Sequence, residues 1–274
     1  VLFGHDLAGV FCTPREPSAD PRAVIFCSTS GEPRAGVGRF AATASRELAR
    51  RGVAALRFDF PGIGDSAGDR GHVYETSRAE DFAAAVDFLA ADGYRQITLV
   101  GICSGSYHTI RALIADARVS GAFLVSPKLV WRKGECLTPE FRDQGKATSA
   151  YMSGLGRAAN WSRLLKGEID VTSVARTVFK RLGARLGAQL NDEGGRDLRE
   201  GVAAVAARGG RMHALLGLKD ASMDEVETYF GRGGAKLTAL PGMSLHVEPE
   251  LEHGLSVHSS REVALADLLA FVGA

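Results

Sequence analysis

The chain has 274 residues, 45% of them hydrophobic and 24% charged, which suits one large α/β domain or such a domain with an insertion. Its formal net charge of +1 advertises no polyanion-binding face and argues against a nucleic-acid partner. No apolar run reaches the roughly 18 residues that suggest a membrane span.

The first stretch, VLFGHDLAGVF, lacks the charged and apolar regions of a signal peptide. The four cysteines, Cys12, Cys27, Cys103 and Cys136, form no CxxC pair and no cluster with zinc-finger spacing. A reducing, cytoplasmic setting is therefore expected, with no metal and no cofactor. Cys12 and Cys27 read as small residues packed in strands.

In chain order, Leu7 to Pro14 predicts an early strand that ends at a proline. Arg22 to Ser30 predicts a buried strand running into a small polar loop. Val37, Phe40, Ala41, Ala44 and Leu48 recur at helical spacing, and Gly52 stops that helix after Arg50 and Arg51. Val53 to Phe60 is the next strand, closed by PGIGDSAG. A helix over Ala79 to Ala90 leads to the strand QITLVG, a glycine-flanked turn and a helix to about Ala117. VSGAFLVSP predicts another strand. Strand and helix thus alternate four times, which favours a mostly parallel sheet with helices on both faces.

Residues 128 to 208 carry no convincing strand and read as a helical cap inserted in the core. The core is then expected at 1–127 and 209–274. Within it, MHALLGL and SLHVEP predict two more strands, with helices near Met223 to Phe230 and Ser260 to Phe271.

The turn in ITLVGICSGSYHTIRAL carries the chemistry. A strand, then glycine, any residue, nucleophile, any residue, glycine, then a helix is a nucleophile elbow, whose flanking positions must be small to let backbones approach. Centring on Cys103 puts Gly101 and Gly105 at those positions. Centring on Ser104 would put Ile102 and Ser106 there. Cys103 is therefore the expected nucleophile, at a helix N-terminus that favours a thiolate. Ser104 is then placed to offer its backbone N–H to an oxyanion.

An acid and a base follow in the order this arrangement requires. Asp220 lies just past a buried strand, with Asp224 as the alternative. His253 lies in the loop after the last strand, with His258 as the alternative. His108, His213 and His246 have plainer places on a helix or in strands. The second oxyanion donor is expected from Ser28, Thr29 or Ser30, with Thr29 preferred.

These residues resemble the α/β-hydrolase superfamily, in particular its serine aminopeptidase-like or bacterial acyl-hydrolase branch. RFDFPGIGDS is similar to that branch's D-x-x-G-x-G-x-S turn, GICSG to its elbow, and LEHGLS to its late histidine loop. In the turn, Asp59 is expected to hold the loop. The segment Trp161 to Asp170 is similar to a W-x-x-L-L-x-G-E-x-D stretch in a smaller bacterial group. The chain departs from the superfamily by having cysteine at the elbow, as dienelactone hydrolases and polyhydroxyalkanoate synthases do.

A thiolate attacks esters, lactones and thioesters readily, and the acyl-enzyme it forms is itself a thioester. A thioesterase, esterase or acyltransferase is therefore expected ahead of a peptidase. Trp131, Tyr151 and Trp161 in the cap, set among basic residues, are the candidate substrate contacts. They suit a small-molecule acyl ester or thioester, including one carried on coenzyme A or a carrier protein. Two other classes stand beside this one: a non-catalytic binding protein with the same fold, and an enzyme in which Ser104 or another residue acts and Cys103 is only a redox-sensitive thiol.

Overall fold

The computed structural model describes residues 1–16, 21–27, 31–71, 78–129, 193–218 and 220–274. Its strands are β1 (Leu2–Phe3), β2 (Leu7–Cys12), β3 (Arg22–Cys27), β4 (Ala54–Phe58), β5 (Gln96–Ile102), β6 (Val119–Val125), β7 (Arg211–Gly217) and β8 (Met243–Glu248). Its helices are α1 (Phe40–Arg50), α2 (Ala79–Ala91), α3 (Ser104–Ala115), α4 (Glu193–Ala207), α5 (Ala221–Phe230), α6 (Ala235–Thr238) and α7 (His258–Val272).

The strands form one sheet in the order β1-β2-β4-β3-β5-β6-β7-β8. β3 through β8 pair in parallel, while β1 and β2 join antiparallel at one edge. This is the mostly parallel, helix-flanked α/β sheet that the alternating pattern predicts.

Side-chain alternation divides the sheet's burial between two faces. Ala23, Ile25 and Cys27 of β3, with Ile97 and Leu99 of β5, enter one core with residues of α2, α3, α4 and α5. Val24 and Phe26, with Val100 and Ile102, enter the other core with residues of α1 and α7. Both faces are apolar, so the central strands read as continuous hydrophobic runs rather than as alternating ones.

The first core carries an aromatic set in which Phe58 meets Phe3, Phe60 and Phe82 edge-on. Cys27 is buried in that core, and burial pushes its thiol up to about 12. Cys12 is half-buried against the other.

Most of the expected cap lies outside the described residues, as do Thr29, Trp131, Tyr151 and Trp161. Helix α4 falls within the 128–208 span. Its Leu198, Val202 and Val205 are fully buried in the first core, and it packs on α3 and α5. The chain therefore already rejoins the body of the sheet at α4, ahead of β7.

The turn after β4 is held as its motif implies. Asp59, fully buried, accepts from the Arg34 backbone and guanidinium and from the Asp65 N–H. The Ser66 hydroxyl donates to the Asp59 carbonyl and accepts from Ala8 N–H on β2, pinning the turn to the edge of the sheet.

Candidate active site

The parallel register places the C-terminal ends of β5, β7 and β8 along one edge of the sheet. The strand order reverses between β3 and β5, the switch point beside which open α/β sheets place their ligands. Cys103 directly follows β5, Asp220 lies three residues beyond β7, and His253 follows β8.

At the elbow Cys103 takes φ 50°, ψ −116°, a conformation that non-glycine residues seldom adopt. The neighbouring backbone holds it there. Cys103 N–H donates to the Val125 carbonyl at the end of β6 (2.9 Å), and its own carbonyl accepts from Ser106 and Lys128 (3.1 Å each). A side chain at Gly101 would place Cβ 2.7 Å from Ser106 Cα and 2.8 Å from Ser106 N. The glycine is therefore required by the close approach of β5 to the first turn of α3.

Ser104 is buried and opens α3, at a position whose N–H the helix does not direct to one of its own carbonyls. Cys103, as the residue just before the helix, is half-exposed at the helix's positive end.

The imidazole of His253 bridges the other two groups. Its Nε2 is 3.1 Å from Cys103 Sγ, and its Nδ1 is 2.8 and 2.9 Å from the two oxygens of Asp220. Asp220 also accepts from Ser222 N–H at 2.9 Å and so caps α5. Burial opposes charge on Asp220. The hydrogen bond and positive charge of His253, the Ser126 hydroxyl and the Ser222 N–H outweigh it and hold the carboxyl down to about 2. Burial likewise opposes charge on His253, and its hydrogen bonds to Asp220 and Cys103 outweigh that, raising the imidazole well above its ordinary value.

The structure brings together Cys103, His253 and Asp220. Asp224 sits in the first turn of α5, while the His253 Nδ1 bond goes to Asp220. His258 begins α7 and pairs with Glu262 at 3.5 Å on the surface. His108 is buried between the rings of Phe60 and Tyr107.

Three supporting groups escaped the sequence reading. Glu252 organises the histidine loop, accepting from Gly254 N–H, Ser256 N–H and the Ser256 hydroxyl. Glu252 N–H in turn donates to Ser260 on α7. Lys128 Nζ and Leu129 N–H both reach Glu225 on α5 at 2.5 Å, tying the elbow's neighbour to the helix that Asp220 caps. Ser126, at φ 46°, continues β6 into this strap. The adjacency of Glu252 to His253 was visible in sequence, and its bonds to Gly254 and Ser256 close a local turn, while the bond to Ser260 ties that turn to α7.

A model of the alpha/beta hydrolase family matches residues 34–268. The chain belongs to the alpha/beta hydrolase family. Among solved members of this fold, the esterase Pf2001 of Pyrococcus furiosus superposes with a TM-score of 0.58 at 15% identity, covering 98% of this chain and 92% of that one. The esterase EaEST of Exiguobacterium antarcticum gives 0.56 at 17% identity, covering 100% and 99%. At these identities the likeness establishes the alpha/beta hydrolase fold. A curated relative, the uncharacterised protein YcjY of Escherichia coli K12, is 31% identical over 90 residues. That match covers 31% of this chain and 29% of YcjY's length. Among the described residues, no helix is long and apolar enough to cross a membrane.

Proposed function

We propose that this alpha/beta hydrolase is an acyl-transfer enzyme whose nucleophile is Cys103, with His253 as base and Asp220 as the residue that orients and charges the base. The observation that carries the reading is the unbroken chain of contacts from Sγ to imidazole to carboxylate, 3.1 Å and then 2.8 Å. In this reading His253 Nε2, 3.1 Å from Sγ, takes the thiol proton as the sulfur attacks.

The thiolate attacks the acyl carbonyl carbon, and the carbonyl's electron pair moves to oxygen. That oxyanion is assigned to Ser104 N–H and to a second donor in the loop after β3, with Thr29 the candidate. Collapse re-forms the carbonyl and expels the alkoxide or thiolate leaving group, which takes the proton from His253 Nε2. Water, giving its proton to the now neutral imidazole, then attacks the acyl carbon of the thioester; the C–S bond breaks, releasing the acid and leaving the Cys103 thiolate beside the imidazolium. An amine, alcohol or thiol in place of water would make the same enzyme a transferase. The substrate assigned to it is a small acyl ester or thioester, including one on coenzyme A or a carrier protein, selected by Trp131, Tyr151 and Trp161.

The test is turnover of p-nitrophenyl esters and of short acyl-coenzyme A thioesters by the native chain, Cys103→Ala and His253→Ala. The reading expects turnover by the native chain and none above background by either variant. Normal turnover by Cys103→Ala would refute the assignment. Saturable binding of the thioester with no turnover by any form would favour the non-catalytic binding protein.

A further inference from the structure

We propose that His213, His246 and Asp267 form a binding site for one divalent transition-metal ion of the zinc class, in the body of the fold between β7, β8 and α7. It does not rest on the reaction assigned to Cys103. One ligand atom from each of the three residues lies within 4.8 Å of the other two. Asp267 Oδ2 is 3.4 Å from His213 Nε2 and 2.6 Å from His246 Nδ1.

Zinc bonds of ~2.0–2.1 Å at tetrahedral angles put neighbouring ligand atoms about 3.3 Å apart. The His213–Asp267 edge already has that length. The His246–Asp267 edge has to open by about 0.7 Å, which a modest rotation of the half-exposed His246 ring supplies.

The surroundings of His213 are those of a positioned ligand. Its Nδ1 is 2.8 Å from Ser244 Oγ. With the hydroxyl accepting, Nδ1 carries the proton and Nε2 turns its lone pair toward Asp267. Phe123 stacks on the ring at 5.4 Å and 14°, and Phe271 lies 5.8 Å away, so the imidazole plane is fixed by packing. Two imidazoles and one carboxylate, partly exposed, leave a fourth position open to water and suit zinc, cobalt or nickel rather than calcium or magnesium. No short motif betrays the set, because each ligand comes from a different element. An ion there would fasten α7 to the two strands that run into the Asp220 and His253 loops.

The competing account is a carboxylate that accepts from two imidazoles and binds no ion. Calorimetric titration of ZnCl2 into the Cys103→Ala chain separates the two, since that substitution removes the thiol that would compete for zinc beside His253. The proposal expects one equivalent bound. It also expects His246→Ala and Asp267→Asn each to weaken binding at least ~10-fold, and Ser244→Ala to weaken it about 10-fold. CoCl2 should give visible absorption of a four-coordinate ion in the parent that is lost in His246→Ala. Zinc should raise the unfolding midpoint of the parent and not that of His246→Ala, whose midpoint without metal controls for folding. No one-equivalent isotherm, or an isotherm unchanged by His246→Ala, would overturn it.

Discussion

Replacing Asp220 by Asn removes a charge while sparing much of the local geometry. Asp220 Oδ1 accepts from Ser222 N–H, and both carboxylate oxygens lie within 2.9 Å of His253 Nδ1, so an amide keeps one acceptor but sets an NH2 donor where the other oxygen faced the imidazole. What is lost is the carboxylate's attraction for the imidazolium. Holding the carboxyl at about 2 instead of its ordinary 3.8 corresponds to ~2 kcal/mol of folding stability. The raised His253 value describes the same interaction from its other end and is counted once.

The sign follows from proton binding. Between about 2 and 3.8 the native state holds fewer protons on this group than the unfolded chain does. The contribution is therefore complete above about pH 4 and lost as pH falls through 2. Urea unfolding at pH 7 should show Asp220→Asn about 2 kcal/mol less stable than the native chain. Its stability should also fall less steeply than the native chain's between pH 4 and 2. Acylation by an activated ester should slow at least ~100-fold, because the imidazole loses its charge partner and its fixed tautomer. A variant as stable as the native chain at pH 7, with undiminished acylation, would refute the reasoning.

Gly217→Ala tests how β7 meets the histidine loop. A Cβ there would lie 2.4 Å from the Leu251 carbonyl oxygen, so the loop must shift. Unfolding free energy should fall by ~1–3 kcal/mol, and esterase turnover should fall with it as His253 is displaced from Cys103. Gly101→Ala should be at least as costly, since its Cβ meets the Ser106 backbone, and iodoacetamide labelling of Cys103 should slow as the elbow deforms. Leu198→Ala, at a fully buried position of α4, should cost ~2–5 kcal/mol by urea unfolding. A cost well under 1 kcal/mol would show that α4 is not part of the core.

The fold was legible because its signals are local. Apolar runs such as RAVIFC and QITLVG, separated by amphipathic helices and glycine stops, lie within a few residues of the observed elements. The elbow frame was legible for the same reason, since the Gly101 requirement is steric and sits two residues from Cys103. The choice of Asp220 over Asp224 rested on nearness to a strand end, and the structure directs His253 Nδ1 to Asp220.

What escaped the sequence depends on distant residues. β1 is only two residues long and exists through pairing with β2. The Lys128–Glu225 strap spans 97 residues, and the His213–His246–Asp267 cluster draws on two strands and a helix. Neither leaves a spacing that a single sequence can display.

The central claim is that Cys103 takes the acyl group. The direct measurement is to quench the native chain within its first turnover of p-nitrophenyl acetate and map the acetyl group by peptide mass spectrometry. The account predicts one acetyl group on the sulfur of Cys103, absent in Cys103→Ala. An acetyl group on the hydroxyl of Ser104, or hydrolysis with no acetylated peptide at Cys103, would contradict it.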